Sequence, residues 1–364
     1  MSLKIGIVGL PNVGKSTLFN ALTKSSGAEA ANYPFCTIDP NVGIVEVPDE
    51  RMDKIVEIAK PNKIIPAVVE FVDIAGLVKG ASTGEGLGNK FLHHIREVDA
   101  IAQVVRFFED ADITHVHGGV NPKLDKDVIQ LELILADLDT VNRRLGETEK
   151  RSKSGDKEMM AQSATLKKVK DGLEAEKLAI NLELSDDERL FLKSLHLLTN
   201  KPFLYIANVK ENEVATFDSA KAKQTLELGD GEAVLPISAK LEADLIDFSP
   251  DEAREYLAEL GLKESGLKAV IKSAYRLLGL QTYFTAGVTE VRAWTIPIGA
   301  KAPQAAGVIH SDFEKGFIKA DTIAYADYVQ FKGEQGSKDA GKLRMEGKEY
   351  VVKDGDVMHF KFNN

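Results

Sequence analysis

Gly9-Leu10-Pro11-Asn12-Val13-Gly14-Lys15-Ser16-Thr17 is the stretch whose reading decides the fold. It fits G-x-x-x-x-G-K-[ST], and its flanks are the ones such a loop needs. Lys4-Ile5-Gly6-Ile7-Val8 before it reads as a buried strand, and Leu18, Phe19, Ala21 and Leu22 after it fall at helical spacing. Glycines let the backbone wrap phosphates without Cβ clashes, and successive N–H groups at a helix start present partial positive charge. The main chain of Asn12, Val13, Gly14, Lys15, Ser16 and Thr17 is therefore the expected phosphate cradle. Lys15 adds a point charge for the β and γ phosphates, a catalytic role as well as a binding one, and Ser16 offers an oxygen to Mg²⁺.

Two further pieces lie downstream. Asp73-Ile74-Ala75-Gly76 follows an apolar strand at 67–72. A carboxylate there holds Mg²⁺ through water, and the Gly76 N–H senses a γ-phosphate. Tyr33-Pro34-Phe35-Cys36-Thr37-Ile38-Asp39-Pro40 places a threonine between prolines, and Thr37 is the second expected Mg²⁺ ligand. Cys36, the single cysteine, reads as a small apolar residue rather than a redox sensor.

Further strands are expected at 101–105, 203–207 and 234–237, separated by helical stretches. The pattern predicts an α/β fold with a mainly parallel sheet and helices on both faces. Ile134, Leu138, Val141 and Leu145, then Leu166, Val169 and Leu173 across a polar turn, form the seam of an inserted helical hairpin. After Leu280 short strands are expected at 292–296, 307–310, 350–352 and 357–362, with Lys353-Asp354-Gly355-Asp356 as a tight turn. The expected domains are 1–123 with 200–280 as the P-loop domain, 124–199 as the hairpin and 281–364 as an α+β tail.

The base site is altered. Guanine-specific relatives of this fold use N-K-x-D, whose aspartate accepts two hydrogen bonds from guanine N1 and N2. Here Asn208-Val209-Lys210-Glu211 follows the strand, with lysine one place late and the acid longer by one methylene, ~1.5 Å. Two charge-assisted bonds are worth about 3–6 kcal/mol, or roughly 10²–10⁴ in preference. Displacing the acid forfeits much of that, while adenine, lacking the 2-amino group, loses nothing. Ser238-Ala239-Lys240 supplies the opposite side of the base pocket. Asn208, Val209, Glu211, Ser238 and Ala239 are the base-site candidates.

The phosphate loop, the run from Tyr33 to Asn41, the segment Asp73–Ser82, Asn208-Val209-Lys210-Glu211 and Phe313-Glu314-Lys315-Gly316-Phe317 together resemble the YchF family, a branch of the Obg-related GTPases. The resemblance covers the whole chain. It implies ATP preferred over GTP, association with the ribosome and a C-terminal ubiquitin-like β-grasp module, called TGS. It also implies a catalytic histidine at His115, in Asp112-Ile113-Thr114-His115-Val116. Leu77, where many GTPases carry a glutamine, has no polar atom to orient water, so intrinsic turnover should be slow. Asn12 resembles the asparagine of potassium-activated GTPases, which makes it the candidate K⁺ ligand beside the phosphates.

Bulk properties bound the rest. With 364 residues, 44% apolar and 28% charged, the chain suits a folded protein of two or three domains. The net charge of −10 argues against coating nucleic acid by bulk attraction. No RNP-type aromatic motif or sequence-specific DNA reader is evident. No apolar run approaches the ~18 residues a membrane span needs, and a cytoplasmic location without membrane association is expected. Residues 143–170 nonetheless hold nine Lys/Arg against four Asp/Glu. That basic hairpin tip suits a phosphate-contacting arm as well as a solvated face. The expected activity is Mg²⁺-dependent hydrolysis of ATP, GTP less well, in a ribosome-associated switch. Its rivals are a guanine-specific GTPase switch and a nucleotide-gated scaffold with incidental hydrolysis.

Overall fold

The computed structural model describes residues 3–25, 41–74, 87–115, 118–152, 156–229 and 231–363. Twelve strands are present among them: β1 Lys4–Val8, β2 Val42–Glu46, β3 Lys63–Ile65, β4 Val68–Asp73, β5 Ala100–Arg106, β6 Phe203–Asn208, β7 Ala233–Ile237, β8 Leu280–Ala286, β9 Glu290–Pro297, β10 Phe317–Ile323, β11 Arg344–Glu346 and β12 Val357–Phe362. The first sheet has the order β2-β4-β1-β5-β6-β7. Its β1–β4, β1–β5, β5–β6 and β6–β7 pairings are all parallel. Covered on both faces, such strands are mainly apolar; every residue of β5 and of β6 is buried, the polar Gln103, Arg106 and Asn208 included. This is the α/β P-loop fold expected from the sequence, with strand ends within a residue or two of expectation. Because the strands run parallel, the turns after β1, β4, β5, β6 and β7 share one edge of the sheet, where ligands of such folds bind.

The hairpin is also present. Helix Pro122–Ser152 runs antiparallel to helix Lys157–Glu174, which Asp156 caps by accepting from the N–H groups of Glu158 and Met159. Ile134, Val141, Leu166, Val169 and Leu173 are buried along the seam. Asp137 joins the hairpin to the chain that returns to β6. Its carboxylate accepts from Leu198 N at 2.9 Å, Thr199 N at 2.8 Å and Thr199 Oγ1 at 2.7 Å. Burial pushes the pKa of Asp137 up, and these three donors are what make an ionised carboxylate tolerable there.

The second sheet has the order β11-β10-β12-β8-β9-β3. β8 and β9 form an antiparallel hairpin, β10 pairs antiparallel with β11 and β12, and β12 returns parallel to β8. With helix Ala302–Ile309 as the crossover, this is the order of a ubiquitin-like β-grasp. Of residues 307–310, expected as a strand, the first three belong instead to that helix and His310 caps its end. Pro303 starts it and Ala305 and Ala306 bury its apolar face, so helical packing overrides a β-branched run too short to decide. Residues 350–352 make a single bridge, Val351 to Lys301, rather than a strand. The turn at 353–356 is as expected, with Gly355 at φ 90°.

The chain packs as two compact units. One takes in the described residues up to Ser25 with Glu70–Val270, hairpin included, and the other takes in Ile44–Val69 with Ile271 onward. Residues 44–69, placed in the P-loop domain on sequence, thus pack with the C-terminal residues, because β3 pairs with β9 at the edge of the second sheet. No helix among the described residues is long and apolar enough to cross a membrane.

Candidate functional site

The phosphate loop leaves β1 and enters helix Lys15–Ser25 through two residues in the left-handed region, Asn12 at φ 63° and Gly14 at φ 92°. Asparagine tolerates that conformation, and at Gly14 a side chain would also collide: a Cβ there would lie 2.2 Å from Asn208 Nδ2. Lys15 is buried, whereas Ser16 and Thr17 face solvent at the helix start. The Lys15 ammonium is ion-paired with the Asp73 carboxylate at the end of β4. The loop lysine and the strand-end acid, 58 residues apart in sequence, therefore meet at one edge of the sheet. The hydroxyl of Ser16 and the carboxylate of Asp73 are hard oxygen donors of the kind Mg²⁺ takes.

Beside the loop, the base-site candidates converge. Asn208 at the end of β6 donates from Nδ2 to Val13 O at 2.8 Å and accepts at Oδ1 from Ala239 N at 3.0 Å. Its buried amide thus ties the phosphate loop to the turn after β7. Val209 N donates to Ile237 O at 2.8 Å, and Ser238 Oγ accepts from Leu241 N at 3.3 Å, capping helix Ala239–Asp244. Glu211 lies just beyond, and its Oε1 accepts from Tyr256 Oη at 3.1 Å.

The loop after β5 carries His115, and sequence reasoning missed what holds it. Arg106, the last residue of β5, is 1% exposed. It donates to three carbonyls of its own loop: Phe108 at 3.0 Å, Ile113 at 3.1 Å and Asp110 at 3.2 Å. Its guanidinium also lies 4.5 Å from the Phe108 ring centroid. Asn12 Nδ2 donates to Thr114 O at 3.1 Å. Since a carbonyl only accepts, this contact orients the Asn12 amide with its NH₂ toward the loop. His115 Nε2 lies 2.9 Å from Asp125 Oδ2, with both side chains almost wholly buried. An ionised Asp125 can only accept, which puts a proton on Nε2. Asp125 sits in the first turn of helix Pro122–Ser152, where the helix dipole favours its charge. The signal for Arg106 was a lone charge closing an otherwise uncharged strand, Ala100–Arg106; Asp125 had none beyond its place near a helix start.

Thr37, Gly76, Leu77 and Cys36 lie outside the described residues, so the structure does not place the second Mg²⁺ ligand or the γ-phosphate sensor. Of the candidates described, Asn12, Val13, Gly14, Lys15, Asp73, Asn208 and Ala239 are joined by direct contacts, and Asn12 extends the chain to the His115 loop.

A family model described as a 50S ribosome-binding GTPase matches residues 4–143. The model of the YchF-GTPase C-terminal domain, described as a protein of unknown function, matches residues 280–363. The ribosome-binding ATPase YchF of Bacillus subtilis is 56% identical over 367 residues, covering 100% of both chains. Its namesake in Escherichia coli O157:H7 is 56% identical over 363 residues, again with 100% of both covered. Among solved structures, the Schizosaccharomyces pombe YchF GTPase is 44% identical with a TM-score of 0.89, covering 99% of this chain and 98% of that one. Identity above one half along the entire length of both sequences, on a shared fold, makes this chain a member of the YchF family.

Proposed function

We propose that the chain is a Mg²⁺-dependent nucleoside triphosphatase that hydrolyses ATP, and GTP less well, as a ribosome-associated nucleotide switch in the cytoplasm. The observation that carries the reading is the joined set of loop, acid and brace: Lys15 against Asp73, and Asn208 bridging Val13 to Ala239. The loop's N–H groups and Lys15 bind and orient the phosphates. Ser16, Thr37 and, through water, Asp73 would hold Mg²⁺, which when bound supplies positive charge to the phosphate oxygens. Gly76 senses the γ-phosphate. Val209, Glu211, Ser238 and Ala239 flank the base with Asn208. The oxygen of Asn12 is the candidate K⁺ ligand.

His115 supplies the polar group that Leu77 lacks. In the arrangement described, its Nε2 is held by Asp125, while the Arg106 clamp and the Asn12–Thr114 bond keep its loop beside the phosphate cradle. Replacing His115 with alanine is expected to lower turnover about 10²-fold with nucleotide affinity retained, measured by single-turnover hydrolysis alongside titration. Wild-type turnover in that variant would remove His115 from the mechanism.

Ribosome association is supported by the relatives' names and by the basic far end of the hairpin, where Arg143, Lys150, Arg151 and Lys157 are exposed. The base preference is tested by calorimetric titration with ATP and GTP in parallel, ATP binding more tightly. Tighter GTP binding would make the chain a guanine-specific switch, the reading that the name of the fission-yeast YchF GTPase favours.

A further inference from the structure

Glu211 is the one acid of the base segment, and its carboxylate has a partner that no base-site pattern requires. It opens a short 3₁₀ turn, Glu211–Glu213, directly after Lys210. Across from it, Tyr256 stands on helix Pro250–Glu259, whose start is fixed by a reciprocal Ser249–Glu252 capping box. The Tyr256 ring packs edge-on against Phe248, with centroids 5.5 Å apart. Its hydroxyl donates to Glu211 Oε1 at 3.1 Å. The carboxylate in turn holds the phenol above its ordinary pKa, so the donor proton stays in place across neutral pH.

We propose that Tyr256 is a specificity-positioning residue, which draws the Glu211 carboxylate away from the base and so withholds the acceptor that guanine needs. The inference rests on the base site proposed above. Guanine presents two adjacent donors, N1–H and N2–H, and is read only by a carboxylate free to turn both oxygens toward them. Adenine presents a lone pair at N1, which a facing carboxylate would repel. Removing the acid from the pocket therefore disfavours guanine and relieves adenine at once, a selection that works by excluding the wrong base as well as admitting the right one.

The test is calorimetric titration of the full-length chain with ATP and GTP in wild type, Tyr256→Phe, and Tyr256→Phe combined with Glu211→Gln. The phenylalanine keeps the packing on Phe248 and removes only the donor. Tyr256→Phe is expected to raise GTP affinity relative to ATP about tenfold, one charge-assisted bond's worth. Adding Glu211→Gln is expected to cancel that gain, since the released carboxylate is its source. A purely structural tyrosine would weaken both nucleotides together and leave their ratio alone, and that result overturns the tether. A gain that survives Glu211→Gln overturns it as well. Wild-type protein that binds neither nucleotide fails at the earlier step, the base site itself, and the tether falls with it.

Discussion

Lys15→Ala should cut triphosphate hydrolysis by about 10²–10³-fold, the scale on which losing one preorganised charge at a reacting phosphate is felt. The lysine is buried, rooted in the first turn of helix Lys15–Ser25, and paired with Asp73 at the end of β4. Among the described residues, the buried Arg106 does not take its place, being committed to three backbone carbonyls. The substitution also removes the ammonium paired with Asp73, leaving Mg²⁺ alone to balance that carboxylate in the proposed site. Single-turnover hydrolysis of labelled ATP reads the effect directly, and a rate within threefold of wild type would be incompatible with the proposed phosphate site. The same variant separates an enzyme from a scaffold. If it still binds ribosomes with nucleotide-dependent affinity equal to wild type, hydrolysis is incidental to the interaction.

Asn208→Ala is expected to lower both stability and nucleotide affinity. Alanine strands the Val13 carbonyl and the Ala239 N–H, each buried without its partner, at about 1–3 kcal/mol apiece. A stability loss of roughly 2–4 kcal/mol follows, seen as a lower denaturant midpoint with an unchanged m-value. Because one of those groups belongs to the phosphate loop and the other to the base side, ATP and GTP should weaken together, by at least tenfold. Asn208→Asp makes a sharper comparison. It keeps an acceptor for Ala239 but turns an oxygen toward the Val13 carbonyl, replacing attraction by repulsion. If Asn208→Ala melted like wild type while losing affinity, the amide would be a base contact alone rather than a brace.

What could be seen in the residues was whatever depends on local spacing. The phosphate loop announces itself because glycine, lysine and hydroxyl must stand in a fixed order on a strand-to-helix turn. The hairpin shows because Ile134 to Leu145 and Leu166 to Leu173 repeat at helical period over many turns. The misreadings fall where spacing is short and partners are distant. Gly307 to His310 looks extended on four residues, yet Gly307 is in a helix packed so closely that a Cβ would lie 2.4 Å from Glu314 Oε2. Residues 63–65 are too few to signal a strand, and their partner, β9, is more than two hundred residues away. Arg106, Asp125 and Tyr256 belong to no motif because each acts on a neighbour supplied by the fold: a loop backbone, a histidine, a glutamate. Asn208 was legible as a base-site residue, but its service as a brace was not.

The strand at 63–65 bears on how the protein is made. Ribosomes release the chain from its first residue, so the segment 44–69 emerges roughly two hundred residues before β8 and β9 exist to receive it. The C-terminal unit cannot close until β8 and β9 have been made, and a fragment starting at Leu280 would leave the backbone donors and acceptors of β9 bare along one side, an invitation to pair with other copies. Nascent chains should therefore need shielding at this segment for most of their synthesis.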